Sequence, residues 1–148
     1  MADTGDRNDP YGAYNFLVEL DGVTVAGFSE ASGLTSESDV VEYRTGAEDT
    51  TVRKLPGLKK FSNLTLKRGF TASDELWKWR LEVLNGATVR HSGTIVLLNE
   101  ARQAAIKWTF REAWPSKWEG PTFNAKTSEM AIETLELACE GVELELAG

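Results

Sequence analysis

Few residues in this chain are suited to covalent or metal chemistry. His91 is its one histidine and Cys139 its one cysteine. Together they would form a nucleophile and base. However, His91 opens the apolar run "HSGTIVLLN", and Cys139 lies in an apolar alternation. That pattern reads as a structural imidazole and a small buried hydrophobe. One His and one Cys fall short of a zinc ligand set. The acids Asp39, Glu42, Glu48 and Asp49 lack the alternate spacing of a calcium loop. The glycines around Pro56 do not lead from a strand into a helix, so no phosphate-cradling loop is indicated. Trp77, Trp79, Trp108, Trp114 and Trp118 would suit a stacking platform, but Trp77 and Trp108 fit the buried stripes of a helix and a strand. Trp79 is expected to face elsewhere and meet a partner. The chain is therefore read as a non-enzyme with no cofactor and no metal.

Charge is more informative. The window Thr50–Ser73 holds six basic side chains and no acid: Arg53, Lys54, Lys59, Lys60, Lys67 and Arg68. The chain as a whole carries −7, and outside the window 10 basic and 23 acidic residues leave −13. Such a segment has three readings. It is a solvated loop, a patch for nucleic acid or another anionic surface, or a contact loop that docks on an acidic face of a second copy. Opposite charges on two faces of one chain favour head-to-tail association, which closes into rings or opens into filaments. The acidic total argues against nucleic-acid binding by the whole surface.

The elements that would position these residues are mainly strands. The 148 residues are read as a polar tail over 1–10 and one domain over 11–148. "MADTGDRNDP" has no apolar stretch of the kind a secretory signal needs, and no run approaches a bilayer span. Synthesis and assembly in the cytoplasm are expected. "YNFLVELDGVTVAGF" predicts a hairpin turning at Asp21–Gly22, with Val23 and Val25 in the return strand. "EASGLTSES" reads as turns and "DVVEYR" as a strand. From Thr45 to Lys60 no periodicity is convincing, so a long basic loop is expected over about 45–60. In "FSNLTLKRGF", Leu64, Leu66 and Phe70 face one way and Asn63, Thr65 and Lys67 the other. Ser73 is the expected cap of a helix through "DELWKWRLEVL", with Leu76, Trp77, Leu81 and Leu84 on its buried stripe and Asn85–Gly86 at its end. "HSGTIVLLN" and "AIKWTFREAW" predict strands, the second stopped by Pro115. The C-terminal run alternates around Leu135, Leu137 and Cys139, then around Val142, Leu144 and Leu146, and reads as strand. The sum is a mainly β fold with one helix: an antiparallel sandwich or barrel with the helix on its flank.

"EYRTG", "RKLPGLKKFSNLTLKRGF" and "SDELWKW", followed by "FREAWPSKWEGPTFNAKTSEMAIETLELACEGVE", resemble in order the inner tube proteins of contractile phage tails and related contractile injection systems. "YNFLVELDG" and "FSEASGL" are similar to that family's opening hairpin. The resemblance implies a structural subunit in which hexameric rings stack into a hollow tube lined by a continuous β-barrel. A contractile sheath would drive the tube through a target envelope, and the lumen would conduct DNA or toxin cargo. It implies sheath, baseplate and terminator or cap proteins as partners, in a phage tail or an injection particle. On that reading residues 46–60 bridge subunits. Arg44, Arg53, Lys54, Lys59 and Lys60 would provide charge, Leu55 and Leu58 apolar contact, and Pro56–Gly57 a bend. Candidate acids on the neighbour are Glu119, Glu129, Glu133, Glu143 and Glu145. The polar strand positions Asn63, Thr65, Lys67, Lys107, Thr109 and Arg111 would face the lumen or the sheath. The alternatives are a tube-initiating or tube-capping adaptor of the same machine, and a nucleic-acid-binding module built on the basic loop.

Overall fold

The computed structural model describes residues 9–21, 27–44, 46 and 51–146. The strands are β1 (Phe16–Leu20), β2 (Phe28–Ser32), β3 (Ser36–Tyr43), β4 (Arg53–Phe61) and β5 (Leu64–Gly69). After the helix α1 (Glu75–Leu84) come β6 (His91–Leu98), β7 (Ala104–Glu119), β8 (Ile132–Ala138) and β9 (Gly141–Leu146). All pairings are antiparallel. The fold is thus mainly β with one helix, and the strand order β1-β6-β7-β8-β5-β2 leaves an open path.

β7 holds this architecture together. Its first part, up to Ala113, pairs with β6 and β9, and its last part, from Trp114, pairs with β8. Between them Glu112 adopts a positive φ of 53°. A strand that bends at such a point can serve two sheets and close a core between them. Pro115, expected to stop this strand, lies inside it opposite Leu137. The ladder shifts register just past it, between Pro115 and Lys117, which accommodates the missing N–H. The Pro115 carbonyl accepts a 3.0 Å bond from Arg80 of α1, so the break in the ladder helps to seat the helix.

Alternation places the core as expected in most strands. Val18, Leu20, Leu64, Leu66, Ile95, Phe110, Leu135 and Leu137 form one buried cluster with Leu76 and Trp79 of α1. Gly93 is required within it, because a Cβ there would press on the Phe110 ring and on the Glu19 carbonyl.

Several sequence expectations are corrected. α1 is capped at Asp74 rather than Ser73, without a side-chain cap bond. Trp79, expected to face outward, is 3% exposed and donates its indole N–H to the Val89 carbonyl at 2.8 Å. Leu81 and Leu84, expected to be buried, are exposed, and Trp77 is half-buried against Trp118. The helix packs on β7 with the Leu76–Trp79 side, so a different apolar stripe was chosen by the sheet it meets. β1 pairs with β6 and β2 with β5, not with each other. Gly22 of the expected opening turn, with Val23 and Val25, lies outside the described residues, as do Glu48, Asp49 and residues 1–8 of the expected tail.

Candidate assembly interface

The segment expected to be a loop over 45–60 becomes, from Arg53 onward, the strand β4. It pairs with β3 over Ser36–Tyr43 as a two-stranded sheet separate from the main one. Weak periodicity has a physical cause here. Neither face of this hairpin is buried, so its sequence carries no apolar alternation. Val40 pairs with Pro56 and Ser38 with Lys59, so Gly57 and Leu58 together oppose Asp39. The predicted bend at Pro56–Gly57 is therefore a β-bulge within a strand. A Cβ at Gly57 would sit 3.1 Å from the Asp39 carbonyl oxygen and from Val41, which explains the glycine. Pro56 is tolerated because both strands of a two-stranded sheet are edges.

The basic segment is largely balanced inside the hairpin. Lys60 Nζ lies 2.9 Å from Asp39, and the register sets Glu37 opposite Lys60 and Glu42 opposite Lys54. Three acids of β3 thus face four bases of β4: Arg53, Lys54, Lys59 and Lys60. Arg44 follows directly after β3. What the hairpin does expose is apolar surface: Val40, Val41, Tyr43, Leu55 and, at 73% exposure, Leu58. An isolated two-stranded hairpin is marginal in water, and exposed apolar residues on it call for a partner surface.

Arg68, the last base of the segment, is not part of any exposed patch. It is 3% exposed, and its Nε donates to Glu133 Oε2 at 2.8 Å. Glu133 is fully buried and also accepts from Trp118 Nε1 at 2.9 Å, while Arg68 reaches the Ser73 carbonyl at 3.3 Å. Glu133 is therefore removed from the candidate acids of a neighbour. Sequence reasoning missed this pair, although its signal was present. Arg68 shares the period-2 parity of Leu64 and Leu66, and Glu133 that of Leu135 and Leu137.

The polar strand positions divide between two outward faces. Thr65 and Lys67 of β5 lie beside Glu30, Thr134 and Glu136, with Asn63 just before the strand donating to Glu136 at 3.0 Å. Lys107, Thr109 and Arg111 of β7 lie on the other sheet in register with Glu145, Glu143 and Gly141. Arg111 bonds Glu143 at 2.9 Å. His91 and Cys139 have separate surroundings. The His91 ring lies 4.9 Å from Trp79, and the Cys139 Sγ lies 3.9 Å from the Ser62 carbonyl. Burial pushes the Cys139 thiol up from its ordinary value, the reverse of an activated nucleophile. Among the described residues no cluster of His, Cys, Asp and Glu could hold a metal. No helix among them is long and apolar enough to cross a membrane.

Residues 12–143 match the model of the T4-like virus tail tube protein gp19. The chain belongs to this tail tube family. Chains in solved structures of contractile particles have a similar fold. A chain of the PVC extracellular contractile injection system sheath–tube complex in the extended state is 27% identical, with a TM-score of 0.85 over 93% of both chains. A chain of the 6-fold symmetrised baseplate of the anti-feeding prophage is 25% identical, with a TM-score of 0.83 over 94% of this chain and 97% of that one. A chain of the tube-terminating cap of the same prophage is 29% identical, with a TM-score of 0.82 over 99% of this chain and all of that one. None of the curated proteins matches the sequence.

Proposed function

We propose that this tail tube protein is the repeating subunit of the inner tube of a contractile particle. Six copies form a ring, rings stack into a hollow tube, and sheath contraction drives that tube through a target envelope with cargo in its bore. The observation that carries this reading is the β3–β4 hairpin. It stands apart from the main sheet with no buried residue, and it exposes Val40, Val41, Leu55 and Leu58. A surface that the monomer cannot bury is suited to bridging subunits. Ring formation would also cover the outer strands β1 and β2, whose edges otherwise invite uncontrolled pairing. The six-fold symmetry of the baseplate relative supports a hexamer. Of the two outward polar faces, one would line the lumen and the other would face sheath. The near balance of charge on the hairpin disfavours the nucleic-acid-module reading.

Negative-stain electron microscopy with light scattering on the purified protein tests the proposal. Rings or hollow tubes of uniform width are expected. Leu55→Asp/Leu58→Asp should give a folded protein that forms neither, and wild-type assembly by that variant would sink the hairpin's role. A second reading, a tube-terminating cap, is favoured by the correspondence over 99% of this chain to a cap-complex chain. It predicts rings that never stack at any concentration.

A further inference from the structure

The residues that end α1 carry a chemistry of their own. Asn85–Gly86 is the one Asn–Gly pair in the chain. The helix closes there with two backbone bonds, from Gly86 N–H to the Val83 carbonyl at 3.0 Å and from Ala87 N–H to the Glu82 carbonyl at 2.9 Å. Such a paired cap needs a left-handed residue just after the helix, and Gly86 supplies it with a φ of 87°. Any side chain would be strained in that conformation, so the cap selects glycine. The same missing Cβ leaves the Gly86 nitrogen unshielded, since the place where a Cβ would stand has no neighbour within 4 Å. Both residues are exposed, and the Asn85 carboxamide has no hydrogen-bond partner among the described residues.

We propose that Asn85 is a site of spontaneous deamidation, gated by opening of the last turn of α1. The Gly86 nitrogen attacks Asn85 Cγ. An N–Cγ bond forms, the Cγ–Nδ2 bond breaks, and ammonia leaves with the proton that Gly86 gives up. Water then opens the five-membered imide. Opening at Cγ yields aspartate. Opening at the backbone carbonyl yields isoaspartate, whose main chain is one methylene longer. The folded geometry holds the first step back. At the Asn85 ψ of 8° the Gly86 nitrogen nearly eclipses the Asn85 nitrogen, whereas ring closure needs it to eclipse Cβ. The rotation that brings it there breaks both capping bonds. At the usual net strength of two such bonds, the native rate lies about 5- to 150-fold below that of the unfolded chain. The products bear on the helix. Either one puts a carboxylate at the negative end of the helix dipole, where the last turn has no base. Isoaspartate also shifts the chain leading to Val89, whose carbonyl anchors Trp79 Nε1 at 2.8 Å.

Peptide mapping tests this directly. The full-length protein is incubated at mildly alkaline pH, native and in urea, and then digested with trypsin. Cleavage after Arg80 and Arg90 isolates residues 81–90, which hold no other asparagine. Mass spectrometry and labelling by an isoaspartyl methyltransferase read the conversion of that peptide. The expected result is that both acidic forms accumulate in both samples, more slowly in the native one by the factor above, and that Asn85→Gln abolishes them. A native sample that never converts while the urea sample does would overturn the site, and equal rates would overturn the gate. No conversion in either sample would overturn both. The converted protein, separated by anion exchange, should melt below the unconverted protein. Equal melting would overturn the consequence for α1.

Discussion

Glu133→Gln is the sharpest test of how β5, β8 and the last part of β7 are locked together. The side chain is fully buried and has two donors, Arg68 Nε at 2.8 Å and Trp118 Nε1 at 2.9 Å, one on each carboxylate oxygen. Glutamine keeps the shape, but its one oxygen fills only one of the two acceptor positions. The other donor then meets an amide NH₂, and the Arg68 charge stays buried with no counter-ion. Removing one partner of a buried ion pair costs about 3–5 kcal/mol. Domains of this kind are stable by about 5–15 kcal/mol, so the loss is a large fraction of the total. At about 2–4 °C per kcal/mol for a chain of this size, the melting point should fall by about 6–20 °C. Urea unfolding followed by tryptophan emission and by circular dichroism, at concentrations below assembly, measures it. Adding Arg68→Met should recover most of the loss, because the orphaned charge is then gone. A single variant within about 1 kcal/mol of wild type, or a double variant worse than the single, would refute the argument.

Other expectations follow from individual residues. Burying one leucine contributes about 1.5–3 kcal/mol, so Leu58→Asp should weaken pairwise association at least about 10-fold, read by sedimentation or light scattering. Its own melting point should barely move, since exposed sites usually change stability by less than about 0.5 kcal/mol. Gly93→Ala should destabilise by about 1–3 kcal/mol or more, because the Phe110 ring and the Glu19 carbonyl occupy the space its Cβ needs. A chemical melt that matched wild type would contradict that packing. Burial favours the neutral thiol of Cys139, so its folded-state value lies above the unfolded one. Any stability it adds is present at neutral pH and is lost as pH rises through the alkaline range of the thiol. Iodoacetamide at pH 8 should therefore label the native protein more slowly than the urea-unfolded chain, and equal rates would show the thiol to be unshielded.

Strand parity, turn residues and motif order already determined much about this protein. The core positions of β1, β5, β8 and the middle of β7, the helix, the two C-terminal strands and the tail-tube family are legible from residue order alone. Each depends on local repetition: apolar residues every second place in a half-buried strand, and capping and stop signals at a helix. The structure alone decided what depends on a distant surface. β3 was legible in "DVVEYR", but its partner β4 was not, because among the described residues neither face of it is buried. Trp79 rather than Trp77 entered the core because β7 covers that side of α1, and both stripes are apolar enough to serve. Arg68 and Glu133 looked like surface charges until β5 and β8 aligned and paired them across the sheet. Pro115 looked like a stop until the two sheets drew β7 through it. A sequence states which residues prefer to be covered, and the fold states which surface arrives to cover them. Leu58, Leu144 and Leu146 are left exposed among the described residues.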